Sequence, residues 1–161
     1  MYIDGFNFYF GLREKGWKRY YWLNLQELAK NLLKPFQEHV TTKYFTSRIS
    51  FPPDKQKRQL TFIEALETLD NFQIFYGTYQ TNTITCKRCG NIFPKPNEKM
   101  TDVNIATELL TDAFLNHYDK AILILRQLNS VSILHFGMIK EATDFFFIAL
   151  SSAHMTFQTS Y

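Results

Sequence analysis

A chain of 161 residues, 45% hydrophobic, 20% charged and 17% aromatic, has the material for one folded core and is not composed like a disordered segment. No stretch approaches the roughly 18–20 apolar residues of a membrane span, and no basic region followed by an apolar run stands at the start, which points to the cytoplasm and away from membrane or secretory roles. The net charge of +3 excludes little, and two cysteines cannot build a disulfide framework but fit a reducing compartment.

Residues 1–4 read as the end of a short apolar strand, with Gly5 turning the chain into a helix over 6–12. Asn24 followed by Glu27 is a capping-box variant, opening a helix that runs to about Leu33 and stops before Pro35. β-branched and aromatic residues over 40–49 predict a strand. Pro52-Pro53-Asp54 punctuates, and Leu60, Ile63, Leu66 and Leu69 then recur at helical spacing through Asp70. Residues 72–79 read as the next strand, with 81–86 pairing to it as a hairpin.

Thr101 caps the most regular helix, whose apolar stripe is read as Ala106, Leu109, Leu110, Ala113 and Phe114. The continuous apolar run from Ala121 to Leu125 has the pattern of a central parallel strand. Strands alternating with helices predict an α/β domain over residues 1–125, its parallel sheet covered on both faces. Residues 126–161 form a divergent tail with a helix-like stretch near 140–150 and little patterned cover. They are expected to leave part of the sheet face exposed, open to a homodimer contact.

Two segments carry the chemistry. In Tyr2-Ile-Asp-Gly-Phe-Asn7 an acid ends an apolar strand and a glycine lets the backbone turn. Ligands of open α/β sheets bind beyond the carboxyl ends of the strands, so Asp4 is placed to reach into that crevice and Asn7 to orient it. The plainer reading makes Asp4 a helix cap. In Glu98-Lys-Met-Thr-Asp-Val-Asn104, Asp102 opens its helix four residues before Ala106 and is expected to face the sheet. Its plainer role is to stabilise the helix dipole, worth about 0.3–1 kcal/mol. Two carboxylates from different elements at one sheet edge would suit Mg²⁺ or Mn²⁺, with Lys99 available to a phosphate.

Arg13, Lys18 and Arg19 cluster with Trp17 and neighbouring aromatics, a composition that suits nucleic acid because cations meet phosphates and rings stack on bases. A solvated loop with snorkelling side chains accounts for the same residues equally well. Cys86-Lys-Arg-Cys89-Gly90 is half of a zinc knuckle; structural zinc takes four ligands, and no second pair exists. Zn²⁺ within the chain or shared across a dimer stays open, while reduced cysteines in a loop are the favoured reading.

The ordered set YIDGFNFYFGLR, KYFTSRI, QKRQLTFIEAL, EKMTDVNIATELLTDAF and YDKAILI resembles the NYN domain family of the PIN-like ribonuclease superfamily over residues 1–124. The resemblance implies a PIN-like (Rossmann-like) α/β fold and metal-dependent hydrolysis of RNA. Asp4 and Asn7 match the first motif and Asp102 the second, with Asp4 and Asp102 as ligands of Mg²⁺ or Mn²⁺. Asp112 lies ten residues further along the same helix and ranks lower, having rotated about 80° from Asp102.

The pattern then breaks. Where the family continues Ser-Gly-Asp/Asn-Ser-Asp and supplies a third carboxylate, this chain reads Leu125-Arg-Gln-Leu-Asn-Ser130. Bases that encode Leu-Arg-Gln-Leu can give Ser-Gly-Asn-Ser when read one position later, so a frameshift near Leu125 is one expectation. The alternative to an enzyme is a catalytically inactive module of the same fold that binds RNA or protein.

Overall fold

The computed structural model describes residues 1–125, 144–149 and 157–159. The chain runs β1 (Tyr2–Asp4), α1 (Gly5–Glu14), a 3-10 turn (Lys18–Tyr20), α2 (Leu25–Leu32), β2 (Thr42–Thr46), α3 (Pro53–Glu67) and β3 (Phe72–Tyr76). It continues through β4 (Thr78–Thr85), β5 (Ile92–Lys99), α4 (Thr101–Phe114), β6 (Lys120–Leu125), β7 (Asp144–Ala149) and β8 (Phe157–Thr159). The main sheet has the order β3-β2-β1-β6-β7-β8. Strands β3, β2, β1, β6 and β7 pair in parallel and β8 closes antiparallel. This is the α/β fold, of Rossmann-like or PIN-like kind, that the alternation of strands and helices implies.

Side chains that alternate along each strand divide the core into two layers. On one face Ile3, Tyr44 and Ile124 meet Phe8 and Leu12 of α1, Leu25 of α2 and Leu66 of α3. On the other, Tyr2, Phe45, Leu123 and Leu125 meet Ile105 and Leu109 of α4. Strand β2 is buried at all five positions because it lies between β1 and β3 with helices above and below.

The local signals for α1 to α3 act as the sequence predicts. Asn24 accepts from the N–H groups of Gln26 and Glu27 at 3.0 and 3.1 Å, while the Glu27 carboxylate pairs with Lys30. Pro53 occupies the first turn of α3, where a missing N–H costs nothing.

Three expectations are corrected. Strand β4 pairs with β5 across Thr78↔Lys99 to Thr85↔Ile92, forming a two-stranded sheet of its own and not a hairpin with β3. Pro94 and Pro96 stand two residues apart, so their missing N–H groups share one side, and an edge strand tolerates that. The inward stripe of α4 is Thr101, Ile105, Leu109 and Asp112, while Phe114 is 87% exposed. Residues 144–149 form strand β7 and not part of a helix: Asp144-Phe-Phe-Phe-Ile-Ala149 is apolar without helical order and pairs in register with β6. The expected frameshift falls on residues outside those described.

Candidate active site

The chain lays β1, β2 and β3 outward in one direction, then returns through α4 to place β6 on the other flank of β1. The reversal falls between β1 and β6, and ligands of open α/β sheets bind beyond the carboxyl ends of the strands at such a point. Asp4 ends β1 there and is 3% exposed. Its Oδ1 accepts the Asn7 backbone N–H at 2.9 Å, and its Oδ2 accepts Asn7 Nδ2 at 2.7 Å. The first bond is the N-cap of α1, so the plainer reading of Asp4 is realised. A cap needs neither the second bond nor the burial. Gly5 allows the approach, since a Cβ there would collide with the ring end of Tyr44 and lie 3.0 Å from the Phe45 carbonyl oxygen.

Asp102 reaches the same edge by a different route. Strand β4 leaves the end of β3 at Gly77, whose N–H donates to the Thr46 carbonyl, and Lys99 pairs back with Thr78. Helix α4 therefore begins beside the carboxyl ends of the strands, with Asp102 in its first turn. Asp102 is exposed and does not face the sheet as expected. The larger apolar side chains of Ile105 and Leu109 seat Thr101 inward and turn Asp102 toward solvent. Lys99 ends β5 at this edge. Both acids offer hard oxygen donors suited to a divalent cation. Among the described residues, no group of three or more His, Cys, Asp or Glu side chains is placed to hold a metal ion.

Asp112 does not join them. It lies about 15 Å along the helix from Asp102, at the amino ends of the strands. It shares the inward face of Thr101 because eleven residues make three turns. There it accepts from Tyr2 Oη at 2.5 Å and pairs with Lys43 Nζ at 2.6 Å and His117 Nδ1 at 3.2 Å. Lys43 also reaches Glu108 at 2.7 Å. Burial pushes the Asp112 carboxyl up, but hydrogen bonds from Lys43, Tyr2 and His117 outweigh it and hold the group below its usual value. For Lys43, burial works downward and the bonds to Asp112 and Glu108 prevail, raising its pKa. A cavity of about 280 Å³ lined by Tyr2, His39, Lys43, Asp112 and His117 opens at this end, opposite the end that carries Asp4. One signal for the network was available: a lysine inside the strand Thr42-Lys-Tyr-Phe-Thr46 needs buried anionic partners.

Between the Asp4 edge and the basic cluster runs an aromatic path that sequence reasoning missed. Phe6 and Phe10 stand 6.3 Å apart between ring centroids, Tyr9 and Phe10 5.4 Å, and Tyr9 and Tyr21 5.2 Å. Tyr9 and Phe10 are about 40% exposed. The signal was Phe6-Asn-Phe-Tyr-Phe10, with more aromatics than one buried helix face accommodates. The path leads to Arg13, which is exposed on the last turn of α1. Beyond it, Lys18 and Arg19 are exposed on the 3-10 turn, Arg19 lies 4.7 Å over the Tyr20 ring, and Trp17 is 38% exposed.

Cys86 and Cys89 are free thiols in the connection between β4 and β5. Backbone N–H groups of Arg88 and Cys89, joined by the Cys89 side chain, hold the Cys86 thiol below its ordinary pKa.

No family model matches this chain, and no solved structure matches it. It is similar to 6-hydroxy-3-succinoylpyridine 3-monooxygenase HspA of Pseudomonas putida, at 27% identity over 179 residues, covering 89% of this chain. The alignment covers 56% of that protein, so the chain spans about half the length of the curated relative it matches. No described helix is long and apolar enough to cross a membrane.

Proposed function

We propose that this chain is a metal-dependent ribonuclease-type domain of the NYN family, with Asp4 and Asp102 holding Mg²⁺ or Mn²⁺ and Asn7 orienting Asp4. The observation that carries the reading is the buried Asp4 carboxylate, fixed on both oxygens by Asn7 at the point where the strand order reverses. The donor set fits such a cation, because Mg²⁺ is commonly held by one or two carboxylates and keeps several waters. When bound, the metal supplies a water of lowered pKa and stabilises charge on a scissile phosphate.

The chain's own residues do the rest. Asn7 fixes the direction of the Asp4 lone pairs, and Asp102 approaches from α4 at the solvent side of the crevice. The rings of Phe6, Tyr9, Phe10 and Tyr21 offer stacking faces to unpaired bases. Arg13, Lys18 and Arg19 meet phosphates at the far end of α1, about 15 Å away, so the substrate is a strand of several nucleotides.

A second reading has its own support. With Asp4 and Asp102 as the two acids of this edge and no acid between Leu125 and Glu141, a non-catalytic RNA-binding module keeps the aromatic and basic surface and loses turnover. Incubating the full chain with unstructured RNA and Mn²⁺ or Mg²⁺ separates the two. Cleavage that stops on chelation supports the enzyme, and binding without cleavage supports the module. Turnover of 6-hydroxy-3-succinoylpyridine without action on RNA overturns both and aligns the chain with its curated relative.

A further inference from the structure

The β4–β5 hairpin carries a second candidate site that the ribonuclease reading leaves unused. Its tip is a closed turn: Cys86 N–H donates to the Asn91 carbonyl at 2.8 Å, and Gly90 N–H donates to the Cys86 carbonyl at 2.9 Å. Gly90 has φ +70°, the left-handed conformation that glycine adopts without strain. The turn keeps Cys86 and Cys89 three residues apart within one closed loop at the hairpin tip. Paired cysteine sulfurs are the ligands that soft metals take.

One hairpin supplies two sulfur ligands, whereas structural zinc takes four in a tetrahedron. Among the described residues no third His, Cys, Asp or Glu joins the pair. The surroundings of the tip point to what completes it. Ile84, Ile92 and Phe93 flank the cysteines and are 44%, 68% and 53% exposed, with Ile84 opposite Phe93 in the ladder. Apolar side chains at the end of a protruding hairpin favour a partner that covers them, and a second hairpin presents the same apolar set. Charge agrees: four thiolates around Zn²⁺ leave two negative charges, and Lys87 and Arg88 between the cysteines bring two positive charges per chain.

We propose that Cys86 and Cys89 bind Zn²⁺ together with the same two residues of a second copy of this chain, joining two hairpin tips in a four-sulfur site. Each of the four thiols gives its proton to solvent as its sulfur binds the metal, with no change of oxidation state, so affinity weakens in acid. The proposal is independent of the ribonuclease reading, since neither Asp4 nor Asp102 takes part.

The test uses the full chain purified under reducing conditions with Zn²⁺ supplied and excess removed. The expected result is a dimer by light scattering with half a zinc per chain. X-ray absorption should give sulfur ligands alone at about 2.3 Å. Co²⁺ in place of Zn²⁺ should show thiolate-to-metal charge-transfer absorption. Cys86→Ser and Cys89→Ser should each become monomeric and lose the metal, while circular dichroism stays unchanged and the thermal transition matches that of the chelated wild type. One zinc per chain in a monomer, an oxygen-rich zinc shell, a Cys86–Cys89 disulfide in the dimer, or dimerisation that survives both variants without metal would each overturn the proposal. Should a serine variant fail to fold, chelation of the wild-type dimer decides: dissociation to folded monomers supports the shared site, and a dimer that persists without metal refutes it.

Discussion

Asn7 grips Asp4 twice, through its backbone N–H on Oδ1 at 2.9 Å and its side-chain amide on Oδ2 at 2.7 Å. The two bonds have separate origins. The first follows from the helix start, and any residue other than proline at position 7 could make it. The second requires the amide. Asn7→Ala should therefore keep the cap, leave thermal stability within about 1 kcal/mol, and lower metal-dependent cleavage about 10–100-fold, as expected for loss of a group that orients a metal ligand. Steady-state kinetics beside thermal denaturation check this, and full activity in Asn7→Ala would remove Asn7 from the site.

The aromatic path predicts how RNA is held. Tyr9→Ala and Phe10→Ala should each weaken binding of an unstructured oligonucleotide by about 1–3 kcal/mol without changing its salt dependence. Replacing Arg13, Lys18 and Arg19 together by alanine should instead reduce the slope of log K against log salt, by about 0.7 for each phosphate that is no longer neutralised. Fluorescence anisotropy over a salt series separates the two effects. An unchanged slope in the triple variant would show that these cations face solvent alone.

At the opposite end of the sheet, Asp112 holds the buried Lys43. Asp112→Asn should cost about 3 kcal/mol, because it leaves Lys43 buried with Glu108 as its remaining anionic partner. The folded carboxyl lies below its ordinary value of 3.8, so its stabilising contribution is complete above that value and is lost as pH falls through the lower folded pKa. Wild-type stability should thus decline on acidification more steeply than that of Asp112→Asn. Urea denaturation across the acid range measures both slopes, and equal slopes would contradict the network.

The edge that bears Asp4 was legible because strand, glycine turn and helix follow one another within six residues, and each leaves a local signature. Asp102 was legible as an acid at a helix start, but its direction was not. Rotation about the α4 axis is set by where Ile105 and Leu109 find space against Tyr2 and Phe45, which is a tertiary matter. The same rotation seats Asp112 inward, so the acid that ranked lower became the buried one. Strand β5 was hidden by Pro94 and Pro96, which count against a central strand and fit only an edge. The aromatic path was hidden because Phe6, Tyr9 and Phe10 look like core material until Phe8 and Leu12 have taken the buried face of α1.

A cleavage assay on unstructured RNA decides whether Asp4 and Asp102 form one metal-dependent site. It compares the wild-type chain with Asp4→Asn and Asp102→Asn at saturating Mn²⁺, with circular dichroism to verify folding. The predicted result is cleavage by the wild type that chelation abolishes, and a loss of at least about 100-fold in each folded variant. Cleavage that persists in both variants would show that Asp4 and Asp102 do not hold the metal.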